Sequence, residues 1–491
     1  MEKTNSQIIC QIKKFLSLLI ILVFFFSCGN PTSNDIKNEK PDKTEVSAEQ
    51  QTELKHPEWI KNANIYEVNI RQYTKEGTFK AFESHLPRLK KMGVDILWIM
   101  PIHPVGEKKR KGTLGSYYAV QDYLAVNPEF GTFQDFKNLV ESIHKNDMFI
   151  ILDWVANHTA WDNPLIDQHP DWYKKDSVGN IISPVEDWSD VAGLNYENPA
   201  LRLYMIDALK YWINEADIDG YRCDVAEMVP SNFWNEARLE LDKIKEIFML
   251  AEAENAKLHD NAFNMAYGWY FHHIMNEIAK GETSVNKIDN YFESQTSTYP
   301  NKTYDGNKVK FNKNTIRMYF TSNHDENSWN GTVSERLNEA VKTFAVLSYT
   351  IPGMPLIYSG QEAGLNKRLE FFNKDEIEWK SSEMGAFYTT LNKTKKENKA
   401  LWNSYWGGEL QRIKTTNDKF IFAFARQKEE NTVFAIFNLS ENEQEITFNC
   451  REFIGEYSDI FTNKKIILNE NETIKLMPWE YRVYTKGALS R

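Results

Sequence analysis

Short apolar runs alternate with amphipathic stretches through most of the chain. The apolar runs that predict strands lie at residues 64–70, 95–101, 148–155, 219–224, 247–253, 263–267, 316–325 and 355–362. Stretches with helical period lie between them, among them residues 78–93, 132–147 and 199–217. Strands that are apolar at nearly every position are typical of a parallel sheet covered on both faces. Eight such units predict an α/β fold, a closed (β/α)8 TIM barrel.

The pattern changes near residue 405, where short alternating runs replace the strand–helix units. These runs lie at residues 419–426, 431–438, 444–449 and 472–477, and turns rich in Asn, Glu and Gly separate them. We therefore predict a C-terminal antiparallel β-sandwich domain over 405–491 and a catalytic barrel over 55–404. Residues 159–195 lack helical period and are rich in Trp, Asp, Pro and Asn, which predicts a short lobe inserted after the third strand.

The first 27 residues have the pattern of a signal peptide. Lys13 and Lys14 precede an apolar run, residues 15–26, which has the length of a signal-peptide core and is short for a membrane span. Ser27 and Cys28 resemble the end of a bacterial lipobox, which implies cleavage before Cys28 and lipidation of its thiol. A simple secretory signal is the alternative.

Residues 28–54 are polar and predict a disordered tether between that anchor and the folded part. The chain is thus expected to be exported and lipid-anchored to the bacterial envelope. Gly29, rather than Asp, follows Cys28 and favours the outer membrane. The protein would then bind the membrane through the lipid on Cys28.

Composition narrows the function classes. Hydrophobic residues make up 42% and charged residues 26%, as in an ordinary globular protein, and 491 residues suffice for two domains. A net charge of −11 argues against nucleic acid as a partner. Beyond Cys10 and Cys28 the only cysteines are Cys223 and Cys450, so two buried free thiols are expected rather than a disulfide framework.

Polar residues concentrate where the apolar runs end. Asp153 closes the third run, Arg222 and Asp224 the fourth, Glu252 the fifth, and His324 with Asp325 the seventh. In a TIM barrel the catalytic residues come from these carboxyl ends. Converging carboxyl groups in different states of protonation suit glycoside hydrolysis.

The environments of two of these acids are expected to differ. Arg222 and Asp224 are two apart on one strand and share a face, so the guanidinium would keep Asp224 ionised. Leu250 and Ala251 precede Glu252, which predicts a less polar setting in which Glu252 keeps a proton. Of two acids in such different settings, one could attack the sugar and the other could protonate the leaving oxygen.

Four segments resemble the ordered sequence regions of the α-amylase family of glycoside hydrolases. They are "DWVANH" (153–158), "GYRCDVAE" (220–227), "FMLAEAE" (248–254) and "FTSNHD" (320–325). The flanking segments 93–102, 115–132 and 351–362 agree with the same family, so the resemblance covers roughly residues 60 to 365.

The resemblance implies a role for each acid. Asp224 would be the nucleophile that forms a covalent glycosyl-enzyme intermediate, and Glu252 the general acid and then the general base. Asp325 would bind sugar hydroxyls and favour the distorted ring of the transition state. Glu254, on the same strand face, is a rival to Glu252.

The resemblance also implies substrate-binding residues. His158 and His324 would donate hydrogen bonds to the sugar at the cleavage subsite, and Tyr118 would stack on it. Arg222 would orient Asp224, and Asp153 would orient Arg222. Four tryptophans lie near the predicted mouth as sugar platforms or as packing, namely Trp154, Trp161, Trp188 and Trp329.

One departure concerns calcium. The second of the four segments ends in Glu227, where many starch-cleaving members carry a Lys-His pair, which puts the usual calcium site and aglycone contacts in doubt. Asn157 matches a family calcium ligand, and Asp187 or Asp190 could add oxygens. No cofactor is expected for the chemistry, and a structural calcium at Asn157 is left open.

The sequence thus predicts a retaining hydrolase of α-1,4-glucosidic bonds in starch-like glucans or maltooligosaccharides. The alternatives are a cyclodextrinase, an α-1,6-glucosidase or a glucan transglycosylase that shares the mechanism. A non-catalytic glucan-binding lipoprotein is a further alternative from a different class. The oligomeric state stays open.

Overall fold

The structure is a computed structural model, and it describes residues 54–294, 311 and 314–487. The predicted signal peptide and residues 28–53 of the predicted tether lie outside these residues, so both stay predictions. Within the described residues, no helix combines the length and the apolar character needed to cross a membrane.

Strands and helices alternate as far as residue 397, and strands and short 3₁₀ helices follow. The strands are β1 (Ile65–Val68), β2 (Ile96–Ile99), β3 (Phe149–Trp154), β4 (His158–Ala160), β5 (Val191–Gly193), β6 (Gly220–Cys223), β7 (Phe248–Ala251), β8 (Met265–Tyr267), β9 (Ile316–Tyr319), β10 (Met354–Tyr358), β11 (Leu410–Ile413), β12 (Ile421–Lys428), β13 (Asn431–Asn438), β14 (Gln444–Asn449), β15 (Gly455–Asp459), β16 (Lys465–Leu468), β17 (Asn471–Leu476) and β18 (Tyr481–Lys486). The α-helices are α1 (Ile70–Tyr73), α2 (Phe79–Glu83), α3 (Leu86–Met92), α4 (Phe133–Lys145), α5 (Leu165–Gln168), α6 (Pro199–Ala216), α7 (Ser231–Leu241), α8 (Trp269–Ala279), α9 (Asn286–Ser294), α10 (Val333–Leu337), α11 (Val341–Thr350) and α12 (Glu383–Glu397).

Eight parallel strands close a barrel in the order β1-β10-β9-β8-β7-β6-β3-β2. Strand β1 joins the two ends of the ring, because Ile65 pairs with Ile96 of β2 on one side and with Leu356 of β10 on the other. Each of the eight predicted apolar runs supplies one barrel strand. The prediction of a TIM barrel is therefore confirmed.

The continuous apolar character of the strands follows from burial on both faces. Side chains that point inward form one apolar cluster, which includes Ile65, Ile96, Trp98, Ile151, Phe248, Leu250, Met265, Ile316, Met318 and Leu356. Neighbouring residues point outward and pack against the helices, because successive side chains on a strand face opposite ways. Cys223 is one of these outward residues, and Cys223 and Cys450 are both buried free thiols.

The helices that cover the barrel begin and end where the sequence provides caps. Thr132 and Asp135 form a reciprocal capping box at the start of α4. Helix α6 begins at Pro199, and the Asn198 side chain accepts from the backbone N–H of Ala200, its second residue. Asp217 ends the helix with a left-handed φ of 58°. These two helices match the helical stretches predicted at 132–147 and 199–217.

The segment after β3 and the C-terminal part are antiparallel. Strands β4 and β5 pair within the predicted inserted lobe. Beyond the barrel, a six-stranded sheet has the order β11-β12-β13-β18-β15-β16, and β14 pairs with β17 in a second sheet. Both sheets contribute to one apolar core, which contains Ile421, Phe434, Ile436, Ile446, Phe448 and Leu476. This confirms an antiparallel C-terminal domain, while its predicted boundary at residue 405 stays a prediction.

Arg426 of β12 ties this sheet to the barrel. Its guanidinium is buried and donates to the carbonyls of Thr350 and Ile351, at 3.0 Å each, and of Gly408 at 2.8 Å. Burial without a carboxylate partner lowers the pKa of Arg426 to about 9. The contact holds the C-terminal sheet under helix α11, away from the carboxyl ends of the strands.

Candidate active site

A cleft of about 600 Å³ opens at the carboxyl ends of the barrel strands. It is lined by six of the residues predicted from the sequence, namely Tyr118, His158, Asp224, Glu252, His324 and Asp325. They come from segments that follow five different strands, β2, β3, β6, β7 and β9. The fold therefore gathers residues that are far apart in the sequence around one cavity.

Arg222 lies beneath the cleft and joins three carboxylates. Its Nη1 is 2.8 Å from Asp153 Oδ1 and 3.0 Å from Asp224 Oδ1, and its Nη2 is 2.8 Å from Glu252 Oε2. Its Nε donates to the Tyr267 hydroxyl at 3.1 Å. Arg222 and Asp153 are completely buried. One cation thus serves three acids, which are both of the predicted contacts of Arg222, Asp153 and Asp224, and one more, Glu252.

Three acids of the site have a pKa above that of an exposed carboxyl group. Burial raises the pKa of Asp224 well above its usual value; Arg222 opposes this shift, and the charges of Glu252, Asp153 and Asp325 add to it. Burial likewise raises the pKa of Asp153 and of Asp325. Arg222 was expected to keep Asp224 ionised; it lowers the pKa of Asp224, but burial outweighs this effect.

The setting of Glu252 differs from the less polar one expected. Its Oε2 contacts Arg222 and also accepts from the backbone N–H of Val225 at 2.9 Å. Val225 has a left-handed backbone with a φ of 37°, which is costly for a β-branched residue. This strained turn directs an N–H at Glu252. The pairing of β6 with β7 brings the two segments together.

His324 belongs to a buried chain of hydrogen bonds. Its Nδ1 lies 2.5 Å from Glu67 Oε1, its Nε2 lies 2.8 Å from the Tyr118 hydroxyl, and Asp325 Oδ2 is 3.4 Å from the same Nε2. Burial lowers the pKa of His324, but Asp325 and Glu67 outweigh it and raise that pKa to about 9. His324 is therefore cationic at neutral pH, and both ring nitrogens donate.

Three residues of this network were not predicted from the sequence. Glu67 is the charged residue in the first apolar run, and Trp98 and Tyr267 end the inward faces of β2 and β8. Trp98 Nε1 and the Tyr118 hydroxyl both donate to Asp153 Oδ2 at 3.1 Å. The sequence signal that could have identified these three residues is a polar or aromatic side chain at the last inward position of a predicted strand.

His158 has the opposite charge state to His324. Burial lowers its pKa to about 4, so its ring is neutral. Asn157 Nδ2 donates to His158 Nδ1 at 3.2 Å, which leaves the proton of the ring on Nε2. The neutral ring lines the cleft, where it can donate to a sugar hydroxyl.

Aromatic rings form part of the cleft wall. Tyr118 stacks on His324 at 5.5 Å and on Phe371 at 6.2 Å between ring centroids. Of the four tryptophans considered, Trp188 and Trp329 line the cleft. Trp154 is completely buried among other aromatic residues, and Trp161 lies under the ammonium of Lys109.

Glu254, the rival of Glu252, is not among the residues that line the cleft. Its Oε2 accepts from the backbone N–H of Tyr270 at 3.0 Å, and its Oε1 lies 3.4 Å from Arg317. Burial raises the pKa of Glu254 to about 7. The geometry therefore favours Glu252 as the acid that faces a ligand.

The residues near Asn157 do not fit a calcium ion. Ca²⁺ takes six to eight oxygen ligands, several of them carboxylates. In the part of the chain that the structure describes, no group of three or more His, Cys, Asp and Glu residues could hold a metal. Asp190 already pairs with Lys111, whose Nζ is 3.1 Å from Asp190 Oδ1. We derive no step through a metal.

Comparison with known proteins agrees over most of the chain. The family model described as "Alpha amylase, catalytic domain" matches residues 41–435. α-Amylase 2 of Dictyoglomus thermophilum is 25% identical over 450 residues, which cover 83% of this chain and 73% of that protein. A maltogenic α-amylase of Bacillus acidopullulyticus is 25% identical over 432 residues, covering 83% and 70%. The solved structure of a maltogenic α-amylase from Thermotoga neapolitana superposes with a TM-score of 0.77 at 29% identity, covering 87% of this chain and 99% of that one.

Proposed function

The chain belongs to the α-amylase family of glycoside hydrolases, and we propose that it hydrolyses α-1,4-glucosidic bonds in maltooligosaccharides and starch-like glucans with retention of configuration. The family match and the maltogenic and other α-amylases among its relatives support this substrate class. Of the alternatives, a cyclodextrinase, an α-1,6-glucosidase and a transglycosylase share the mechanism and differ in the products they form.

The observation that carries the proposal is the single guanidinium shared by Asp224 and Glu252. In retaining glycosidases the two carboxyl groups lie about 5–5.5 Å apart, whereas inverting enzymes separate them by about 6.5–9.5 Å to admit a water. Two carboxylates that bind neighbouring nitrogens of Arg222, at 3.0 and 2.8 Å, favour the close arrangement.

The proposed reaction has two steps. Asp224 attacks the anomeric carbon while Glu252 gives its proton to the glycosidic oxygen, which breaks the bond and leaves a covalent glycosyl-enzyme. Glu252 then removes a proton from water, the water oxygen attacks the same carbon, and Asp224 departs. The first step requires Glu252 to be protonated and Asp224 to be ionised.

The remaining residues hold the sugar. Asp325 and His158 would bind hydroxyl groups of the ring at the cleavage point, and the His324 cation would sit close to that ring. The Tyr118 ring, which packs beside His324 and Phe371, would cover one face of the sugar. Arg222 would orient Asp224 and Glu252 together, with Asp153 fixing Arg222 from below.

The proposal is tested by replacing each of the two acids, Asp224 and Glu252, in a separate variant. We expect Asp224→Asn to lose hydrolysis of maltoheptaose by about 10⁴-fold or more, because no nucleophile remains. Glu252→Gln should still react with α-maltosyl fluoride, which needs no acid, and should accumulate a maltosyl adduct on the peptide that contains Asp224, seen by mass spectrometry.

Glu254→Gln is the matched control, since it changes a neighbouring buried acid that lies outside the cleft. It should keep most of the activity. Wild-type protein that leaves maltoheptaose intact, or an adduct on a residue other than Asp224, would refute the proposal. Product analysis on linear, branched and cyclic glucans would distinguish the alternatives.

We also propose that the protein is exported and anchored through a lipid on Cys28. The lysine pair, the apolar run of residues 15–26 and the Ser27-Cys28 step support this proposal. A tether over residues 28–54 would place the cleft at some distance from the bilayer, where it could meet a glucan.

A further inference from the structure

Two loops at the rim of the cleft are built against each other. The loop after β2 donates from the backbone N–H of Leu114 to the Phe372 carbonyl at 2.9 Å, in the loop after β10. Thr113 donates from its N–H and its hydroxyl to Asn373 Oδ1, at 2.9 and 2.8 Å. A Cβ on Gly112 would lie 2.5 Å from that of Phe372, so the close approach requires glycine.

Lys111 extends this connection to the inserted lobe. Its Nζ donates to the Asp187 carbonyl at 2.8 Å and lies 3.1 Å from Asp190 Oδ1, while the Phe372 ring centroid is 6.0 Å away. These four residues all line the cleft. A continuous set of contacts therefore runs from the loop after β10, across Lys111, to the lobe after β3.

Aromatic rings stand beside this connection. Phe371 lies 5.1 Å from Trp329 and 5.1 Å from Phe372, and Trp329 lies 5.7 Å from Phe372, between ring centroids. Trp329 is half exposed and all three rings line the cleft. We name Lys111, Trp329, Phe371 and Phe372 the end wall.

The strand order fixes the side of the cleft on which the end wall stands. In the ring of eight strands, β1 lies between β2 and β10, and it is directly opposite β7, the strand that Glu252 follows. Lys111, Phe371 and Phe372, which follow β2 and β10, therefore face Glu252 across the mouth, and Trp329, which follows β9, lies beside them. In the proposed reaction the leaving group departs beside Glu252, so the end wall stands on the side of the non-reducing end.

We infer that the end wall closes the cleft beyond a short stretch of sugar on the non-reducing side, so that the protein removes short units from chain ends rather than cutting within chains. This inference rests on the proposed hydrolysis. A cavity of about 600 Å³ agrees with it, because that volume lies within the range of pockets that hold a small ligand.

The test compares two substrates that differ only at the non-reducing end. One is 4-nitrophenyl α-maltoheptaoside, and the other is the same compound with a 4,6-ethylidene group on its last ring. Wild-type protein should cleave the blocked compound at least about tenfold more slowly, since a closed site rejects added bulk. It should also release one short product from the first turnovers of the unblocked compound.

Two variants open the wall. Phe372→Ala and Lys111→Ala should each bring the two rates closer together and lengthen the early products, and either variant suffices if the other fails to fold. Lys108→Ala changes an exposed lysine of the same loop and should leave the ratio unchanged. Circular dichroism would verify that each variant keeps its fold.

The outcomes separate this inference from the proposal beneath it. Wild-type protein could cleave both substrates at equal rates, or neither wall variant could change the ratio of the two rates. Either result would overturn the inference that the end wall closes the cleft, but it would not affect the proposed hydrolysis. Failure to turn over either substrate would overturn the hydrolysis, and the inference with it.

Discussion

The imidazole of His324 and the carboxylate of Glu67 form a buried ion pair, with 2.5 Å between Nδ1 and Oε1, although 257 positions separate them in the chain. The pair fixes the ring plane of His324 and directs Nε2 towards Tyr118 and Asp325. Glu67 touches no ligand in the proposed reaction, so it is a positioning residue that acts through His324.

Replacing Glu67 with Gln should move the alkaline limb of the pH profile to lower pH. Glu67 helps to raise the pKa of His324 to about 9, so the cation persists up to that pH and is lost above it. Without the Glu67 charge the His324 pKa falls, by about one unit or more for a close opposite charge, and the cation is lost earlier. The measurement is kcat/KM against pH on 4-nitrophenyl maltosides.

If Glu67 had only a structural role, its replacement would lower kcat/KM at every pH and would not shift the pH of the alkaline limb. That result would contradict this prediction. Glu76→Gln, a change at an exposed acid in the following loop, is the control and should alter neither quantity.

Gly220 at the start of β6 should tolerate no side chain. A Cβ there would lie 1.9 Å from the backbone oxygen of Phe248 in the paired strand β7, so Gly220→Ala must push two barrel strands apart. Overpacking of this kind costs about 1–3 kcal/mol, and contact with backbone belongs at the upper end. Thermal unfolding should show a clearly lower Tm.

Gly385 supplies the matched substitution for that experiment. It lies in helix α12 and a Cβ there would meet its nearest atom, the Glu362 carbonyl oxygen, at an ordinary 3.5 Å. Gly385→Ala should be neutral or stabilise the protein by up to about 1 kcal/mol through helix propensity. Similar losses of Tm at both positions would contradict this account of the barrel.

Removal of divalent cations should leave the protein unchanged. The ammonium of Lys111 lies beside Asp190, and the described residues contain no group of three or more His, Cys, Asp and Glu that could hold a metal ion. A calcium ion at 100 times its Kd would add about 2.7 kcal/mol to the free energy of unfolding. Equal Tm and activity in EDTA and in calcium are expected, and a higher Tm in calcium would restore the site left open at Asn157.

Replacing Cys28 with Ala should release the protein from the membrane fraction. The proposed lipid on Cys28 supplies the binding energy, at about 0.8 kcal/mol for each buried CH₂ group, and alanine has no thiol to modify. Detergent phase partitioning of cells that express each form measures the difference. Cys223→Ala, which removes a buried thiol of the barrel, should stay with the membrane. Equal partitioning of Cys28→Ala and wild type would refute the anchor.

The barrel was predictable because each of its strands is buried on both faces and therefore apolar at nearly every position. The strands β15 and β16 were missed for the opposite reason. They are mixed in burial, with Gly455–Asp459 and Lys465–Leu468 largely exposed or half-buried, so no period appears in their sequences. Tertiary pairing with β18, rather than local pattern, holds β15 in the sheet.

The candidate site was predictable in its members and less so in its contacts. Polar residues that directly follow an apolar run can be recognised in the sequence as strand-end residues. Glu67 could not be recognised in this way, because it lies inside an apolar run and its partner His324 is far away in the sequence. The prediction of a less polar setting for Glu252 was wrong because Leu250 and Ala251 are its neighbours along the chain, whereas its polar contacts come from the neighbouring strand. The register of β6 on β7, which brings Arg222 alongside, is a property of the folded barrel.

Strand β1 meets its second neighbour only in β10, the last strand of the ring. During synthesis a nascent chain therefore carries two unpaired strand edges until residue 358 has emerged, and such edges invite association with other chains. A polypeptide interrupted before Met354 would lack both a closed ring and the Phe372 loop. Sugar cleavage therefore requires translation to pass beyond the Phe372 loop, and copies that end before β10 would keep unpaired strand edges that favour aggregation.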